Sequence, residues 1–138
     1  MLDTQANATA AGIRTVGAGR TAAEAERPLI VSSPSETVAV VAFGDYFGAL
    51  YRASESGPGI ISLTPDHIQR GVELARGAGA DRLIAFVHWG DNYSNVNAQQ
   101  RYWAGLLIDA GFDVIIGAGS HVIQPVEVVK GKPVAFSL

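Results

Sequence analysis

Two apolar runs with a helix-length segment between them constrain this chain most. Leu83-Ile84-Ala85-Phe86-Val87 breaks into His88-Trp89-Gly90, and Val114-Ile115-Ile116 breaks into Gly117-Ala118-Gly119-Ser120-His121. Between them, Ala98 to Ala110 places Trp103, Leu106, Leu107 and Ala110 on one side and closes on Gly111, the pattern of an amphipathic helix with a glycine at its end. A strand, a crossing of a dozen or more residues and a second strand imply parallel pairing with a right-handed crossover. Ligands of open parallel sheets gather at the carboxyl ends of the strands, so two histidines leaving neighbouring ends can converge on one crevice.

The flanking segments extend this pattern. Residues 2 to 12 are weakly helical, Ile13 to Val16 reads as a short strand, and Thr21 to Glu26 as a short helix capped by Thr21 with Glu24 at the capping-box position. Leu29 to Val31 is expected at a sheet edge, and Val38 to Phe43 as a strand buried on both faces. Gly44 to Gly59 is a long connection dotted with Tyr46, Phe47 and Tyr51, which are expected to pin the loop onto its own domain. Thr64-Pro65-Asp66 starts a helix running to about Ala78, whose first turn holds His67 as a solvated side chain. Val126 to Val129 and Pro133 to Leu138, around Lys130-Gly131-Lys132, read as a hairpin with its second strand beginning at an edge because of Pro133. The fold class is α/β, a mixed but mainly parallel sheet flanked by helices with a carboxyl-terminal hairpin.

Composition narrows the function. Nearly half of the 138 residues are apolar, enough for a packed core, and the formal charge of −3 leaves no basic stripe to follow a phosphodiester backbone, which argues against nucleic acid as a partner. No cysteine is present, so neither disulfides nor thiolate chemistry enters. No apolar run reaches the roughly 20 residues of a membrane-spanning helix, so any membrane anchor is expected outside this segment. Gly17-Ala18-Gly19 imitates a phosphate-binding turn but lacks the third glycine of a dinucleotide fingerprint. Ser120 has no nucleophile elbow around it.

His88 and His121 remain as the residues fitted to chemistry. A neutral imidazole binds divalent metal or moves a proton near neutral pH, although a histidine at a strand end also serves structurally by bonding a loop carbonyl. Two histidines fall short of a metal site, since a catalytic zinc takes three protein ligands and two-metal centres add carboxylates. Asp91, three residues beyond His88, is the best-placed acid. Asp109 and Asp113 read as solvated loop residues.

The chain resembles the CapA or poly-gamma-glutamate capsule biosynthesis family, a branch of the calcineurin-like metallophosphoesterase fold. The resemblance runs through Val16-Gly17-Ala18-Gly19-Arg20, Glu24 to Pro28, His88-Trp89-Gly90 with Tyr93, Leu107 to Gly111, Asp113 to Gly117, His121 to Glu127, Gly131-Lys132-Pro133 and Phe136-Ser137-Leu138. It implies a metal-dependent phosphoesterase-like domain serving an anionic surface polymer at the extracytoplasmic side of the cell envelope. His88 and His121 would be ligands to divalent ions of the manganese, iron or zinc type, with His88 catalytic. Trp89, Gly90, Asn92 and Tyr93 would contact a phosphoester or polymer substrate. Ala118 and Gly119 stand where the family carries histidines, and Asn92 where a glutamate is common. The resemblance places the chain as the carboxyl half of such a domain, a single partial domain over residues 1–138, expected to be catalytically inert by itself. A non-catalytic polymer-binding domain with a degenerate metal site is the alternative.

Overall fold

The computed structural model describes residues 2–45 and 51–138. In chain order its elements are α1 (Leu2–Ala10), β1 (Ala18–Gly19), α2 (Ala22–Ala25), β2 (Leu29–Ser32), β3 (Thr37–Gly44), β4 (Gly59–Ile60), α3 (Pro65–Gly77), β5 (Arg82–His88), α4 (Ala98–Ala110), β6 (Val114–Ala118), β7 (Gln124–Val129) and β8 (Lys132–Ser137). Six strands form one mixed sheet in the order β2-β3-β5-β6-β8-β7, and β1 pairs with β4 separately. Strands β3, β5, β6 and β8 run parallel, while β2 and β7 are antiparallel edges. This is the mixed, mainly parallel α/β sheet expected from the alternation of runs and helices.

Side chains alternate across each strand, and among the described residues helices cover only one face. Leu83, Ala85 and Val87 of β5 and Ala39, Val41 and Phe43 of β3 are buried there. Helix α3 lies so close that a Cβ on Gly71 would stand 2.9 Å from a Val41 methyl. Helix α4 adds Ala104 and Leu107, and Phe112 meets Phe43 edge-on with ring centres 6.1 Å apart. Helix starts follow their caps: Thr64 accepts the His67 N–H before Pro65, and Asn97 with Gln100 forms a reciprocal capping box on α4.

The other face is a correction to the reading of β3 as buried on both sides. Register places Ala42, Phe86, Ile116, Ala135 and Val126 in one row across it. Phe86 remains 42% exposed and Val126 66%, because no helix of the described residues packs over them. His88 and Ala118, in register one step further on, belong to this same face.

Four local expectations change. Ile13 to Val16 forms no strand; the pairing begins at Ala18, and Gly19 is tied to α2 by close approach, a Cβ there falling 2.5 Å from the Ala25 nitrogen. Pro133 does not mark an edge: β8 lies between β6 and β7, and the proline is tolerated because pairing with β6 begins only at Val134. His67 is half-buried with Nδ1 2.8 Å from the Ser62 carbonyl oxygen. Asp113 is a partly buried anchor, accepting the Leu83 N–H at 3.1 Å and Lys132 Nζ at 2.7 Å. Tyr46 and Phe47 lie outside the described residues, and Tyr51 is 64% exposed.

Candidate functional site

The two histidine loops leave adjacent parallel strands. His88 ends β5 opposite Ala118, the last residue of β6. Beyond Ala118, Gly119 at φ +113° and His121 at φ +57° turn the chain sharply. The left-handed region is costly for a residue with a Cβ, so the surrounding loop has to hold His121 there. The result is a cavity of about 520 Å³ lined by His88, His121, Ala118, Gly119, Ile123 and Leu138 among others. Gly119 has a second reason to lack a side chain: a Cβ would stand 2.8 Å from His88 Nε2. Both histidines thus line one hollow.

Next to it, on the other side of the His88-Trp89-Gly90 turn, lies a polar pocket of about 280 Å³ lined by Asp45, Gly90, Asp91, Asn92, Asn97 and Gln99. Gly90, at φ +82°, redirects the backbone and sends Asp91 here, away from the histidines. Asp91 accepts Asn97 Nδ2 at 2.8 Å, and Asp45 accepts Gln99 Nε2 at 3.1 Å. Burial pushes the Asp45 carboxyl above its ordinary range and the Asp91 charge adds to this, while Gln99 and the nearby indole of Trp103 pull the other way. Trp103 Nε1 is buried without completing a hydrogen bond of good geometry.

The residues expected to meet a substrate are divided between these places. Gly90 and Asn92 line the polar pocket. Tyr93, 76% exposed and itself at φ +58°, lays its ring beside that of His121 with centres 5.7 Å apart. Trp89 is only 2% exposed and its Nε1 donates to the Phe136 carbonyl oxygen at 2.7 Å, which gives the indole a packing role in place of the substrate contact expected of it. Gly117 makes room for that bond, since a Cβ there would fall 2.3 Å from Trp89 Nε1.

Two imidazole nitrogens suit zinc, iron or manganese in type. They do not fit such an ion in number. Among the described residues no three of His, Cys, Asp or Glu come together, and both nearby carboxylates face the neighbouring pocket.

The whole of this chain, residues 1–138, matches the family model described as bacterial capsule synthesis protein PGA_cap. The chain belongs to the PGA_cap family. Among its relatives, the PGA biosynthesis protein CapA of Bacillus subtilis (strain 168) is 31% identical over 140 residues, covering 100% of this chain and 37% of that protein. The capsule biosynthesis protein CapA of Bacillus anthracis is 31% identical over 127 residues, covering 89% of this chain and 31% of that protein. The chain therefore spans about a third of the length of these curated PGA_cap relatives.

Sequence reasoning passed over Asp45, Asn97, Gln99, Gln100 and Gln124. Asp45 gives no signal beyond ending a strand. Asn97 and Gln100 carried one, since an Asn three residues before a Gln at a helix start is a capping-box spacing. That Gln100 is fully buried and faces Gln124 is visible only in the tertiary structure.

Proposed function

We propose that this chain serves the biosynthesis of a capsule or poly-gamma-glutamate-type polymer as a phosphoesterase-like module, at the extracytoplasmic side of the cell envelope. In this reading His88 and His121 form one side of a divalent-metal site, and the remaining donors come from outside the residues described. One observation carries it: in a PGA_cap family chain, a histidine that ends one strand and a histidine in the loop after the adjacent parallel strand line one cavity. The division of labour is chemical. Imidazoles would hold the ion, and the amides and carboxylates of the neighbouring pocket would receive the polar part of a phosphoester or anionic polymer.

Calorimetric titration with zinc and manganese tests this. Weak one-site binding by the chain, abolished in His121→Ala and in His88→Ala, supports it; absence of binding overturns the shared-site reading. The chain by itself should not hydrolyse p-nitrophenyl phosphate with added manganese, and turnover abolished by His88→Ala would show that its donor set is complete after all.

A second reading, a polymer-binding module without catalysis, is favoured by Ala118 and Gly119, which contribute no donor to the cavity. Retention of poly-gamma-glutamate that is indifferent to chelator and to His88→Ala would support it. Retention that requires the metal supports the first.

A further inference from the structure

Two buried glutamines join the histidine loops. Gln100 is fully buried and Gln124 is 3% exposed. Gln100 Nε2 donates to Gln124 Oε1 at 2.8 Å, and Gln124 Nε2 donates to the Ser94 carbonyl oxygen at 3.0 Å. Gln100 Oε1 accepts the Asn97 N–H at 3.1 Å and approaches Gln124 Nε2 at 3.4 Å. Gly90 rests on the same amide, since a Cβ there would fall 2.8 Å from Gln100 Nε2. One amide pair therefore touches the turn after His88, the loop from Ser94 to Asn97, the first turn of α4 and the strand that begins three residues after His121.

Buried amides left without partners cost free energy, so this network specifies one arrangement of the loops. Two backbone bonds run beside it: Trp89 N–H to the Ala118 oxygen at 2.9 Å and Tyr93 N–H to the Ser120 oxygen at 2.7 Å. The Tyr93 ring then sits against His121, both residues being held at positive φ. Apolar packing of α4 on the sheet is non-directional and does not by itself fix the approach of one loop to the other, whereas paired amides do.

We infer that the Gln100–Gln124 amide pair is a positioning device that sets His121 against His88 by clamping their loops together. The inference rests on the reading of the two histidines as one site, but it has a readout independent of metal. The informative variant is the double replacement Gln100→Leu with Gln124→Leu. Removing both amides together avoids the buried, half-paired amide that either single change leaves behind, although the Asn97 N–H and the Ser94 carbonyl still lose their partners.

The double variant is expected to fold with a lowered urea midpoint, because the Asn97 N–H and the Ser94 carbonyl lose their partners. Its Tyr93 N–H should exchange about tenfold faster, and the nuclear Overhauser effects between the Tyr93 and His121 rings should vanish. Its zinc affinity should fall by about 10–100-fold, the usual effect of removing a group that orients a ligand. A folded double variant with parental exchange, ring proximity and zinc affinity overturns the inference. If the parent binds no zinc, the shared-site reading fails while exchange and ring proximity still decide the clamp. Should the double variant not fold, Gln124→Asn keeps the amide but withdraws it from Ser94; unchanged Tyr93 protection there also overturns the inference.

Discussion

The two rims of the sheet are built on opposite principles. At the amino ends of the strands ion pairs dominate: Arg82 meets Glu36 at 2.9 Å, Asp113 takes Lys132 at 2.7 Å and Arg82 at 3.6 Å, and Asp81 accepts the Thr37 N–H at 2.8 Å. At the carboxyl ends, Asp45 and Asp91 are met by side-chain amides, with no cation paired to either among the described residues. His88 and His121 face a cavity there. A rim whose charges are mostly taken up in ion pairs has structural work; one that leaves donors and acceptors around hollows is available to a ligand.

If that contrast holds, the carboxyl rim must be held together by apolar packing and buried amides. Trp89 is the main support, stacked on Phe136 with ring centres 6.0 Å apart and bonded to the Phe136 carbonyl. Trp89→Ala is the most damaging change expected, a loss of about 3–5 kcal/mol from cavity formation. Urea denaturation measures it. A near-neutral result would mean that the rim does not rest on the indole.

The amino rim fails differently. Burial would raise the Asp113 carboxyl, but the Lys132 and Leu83 hydrogen bonds and the charges of Lys132 and Arg82 outweigh it and hold the group below its ordinary value of 3.8. A folded-state pKa below the unfolded one gives stability that is present above the unfolded value and lost as pH falls through the folded one. Asp113→Asn should therefore cost about 1–2 kcal/mol at pH 7, the scale of a charge-assisted hydrogen bond. The difference from the parent should close as pH falls below about 4. A gap that persists in acid would show that shape, not charge, holds this position.

The metal question sharpens the contrast at the other rim. Ala118 is in register with His88 on the neighbouring strand and lines the same cavity, so Ala118→His brings a third imidazole to the hollow. Zinc affinity should rise by about tenfold or more as the set reaches three protein ligands. Gly119→His should not imitate it, because a Cβ at that position meets His88 Nε2 at 2.8 Å on a backbone of positive φ. Equal gains from both variants would show that the loops relax freely and that the observed geometry does not constrain the site.

Much of this was legible in the residues. The bounds of β5 and α4 follow from an apolar run ending in His88 and from an amphipathic stretch closed by Gly111, because local periodicity decides both. The neighbourhood of His88 and His121 follows from the crossover rule. What local pattern cannot carry is which face of a strand is covered, since β3 and β5 read as continuous apolar runs whether one helix layer or two lies upon them. Nor does proximity in sequence decide which side of a turn a residue reaches. Asp91 stands three residues from His88, yet the positive φ of Gly90 places it in the other pocket, where it meets Asp45 from a distant strand.

That meeting supplies the smallest effect. Asp45 is raised by burial first and by Asp91 in addition, so its folded pKa exceeds the unfolded 3.8 and its sign is opposite to that of Asp113. Its contribution to stability is complete below the unfolded value and is lost as pH rises through the folded one. At pH 7 the ionised carboxylate burdens the fold, and Asp45→Asn, which preserves an acceptor for Gln99, should stabilise by less than about 1 kcal/mol. Thermal denaturation at pH 7 and pH 4 should show the gain shrinking in acid, the reverse in sign of the Asp113→Asn loss. If Asp45→Asn instead destabilises at neutral pH, the contacts of the carboxylate with Gln99 and the Trp103 indole outweigh the cost of burying its charge, and the division between a paired rim and an open one fails at that residue.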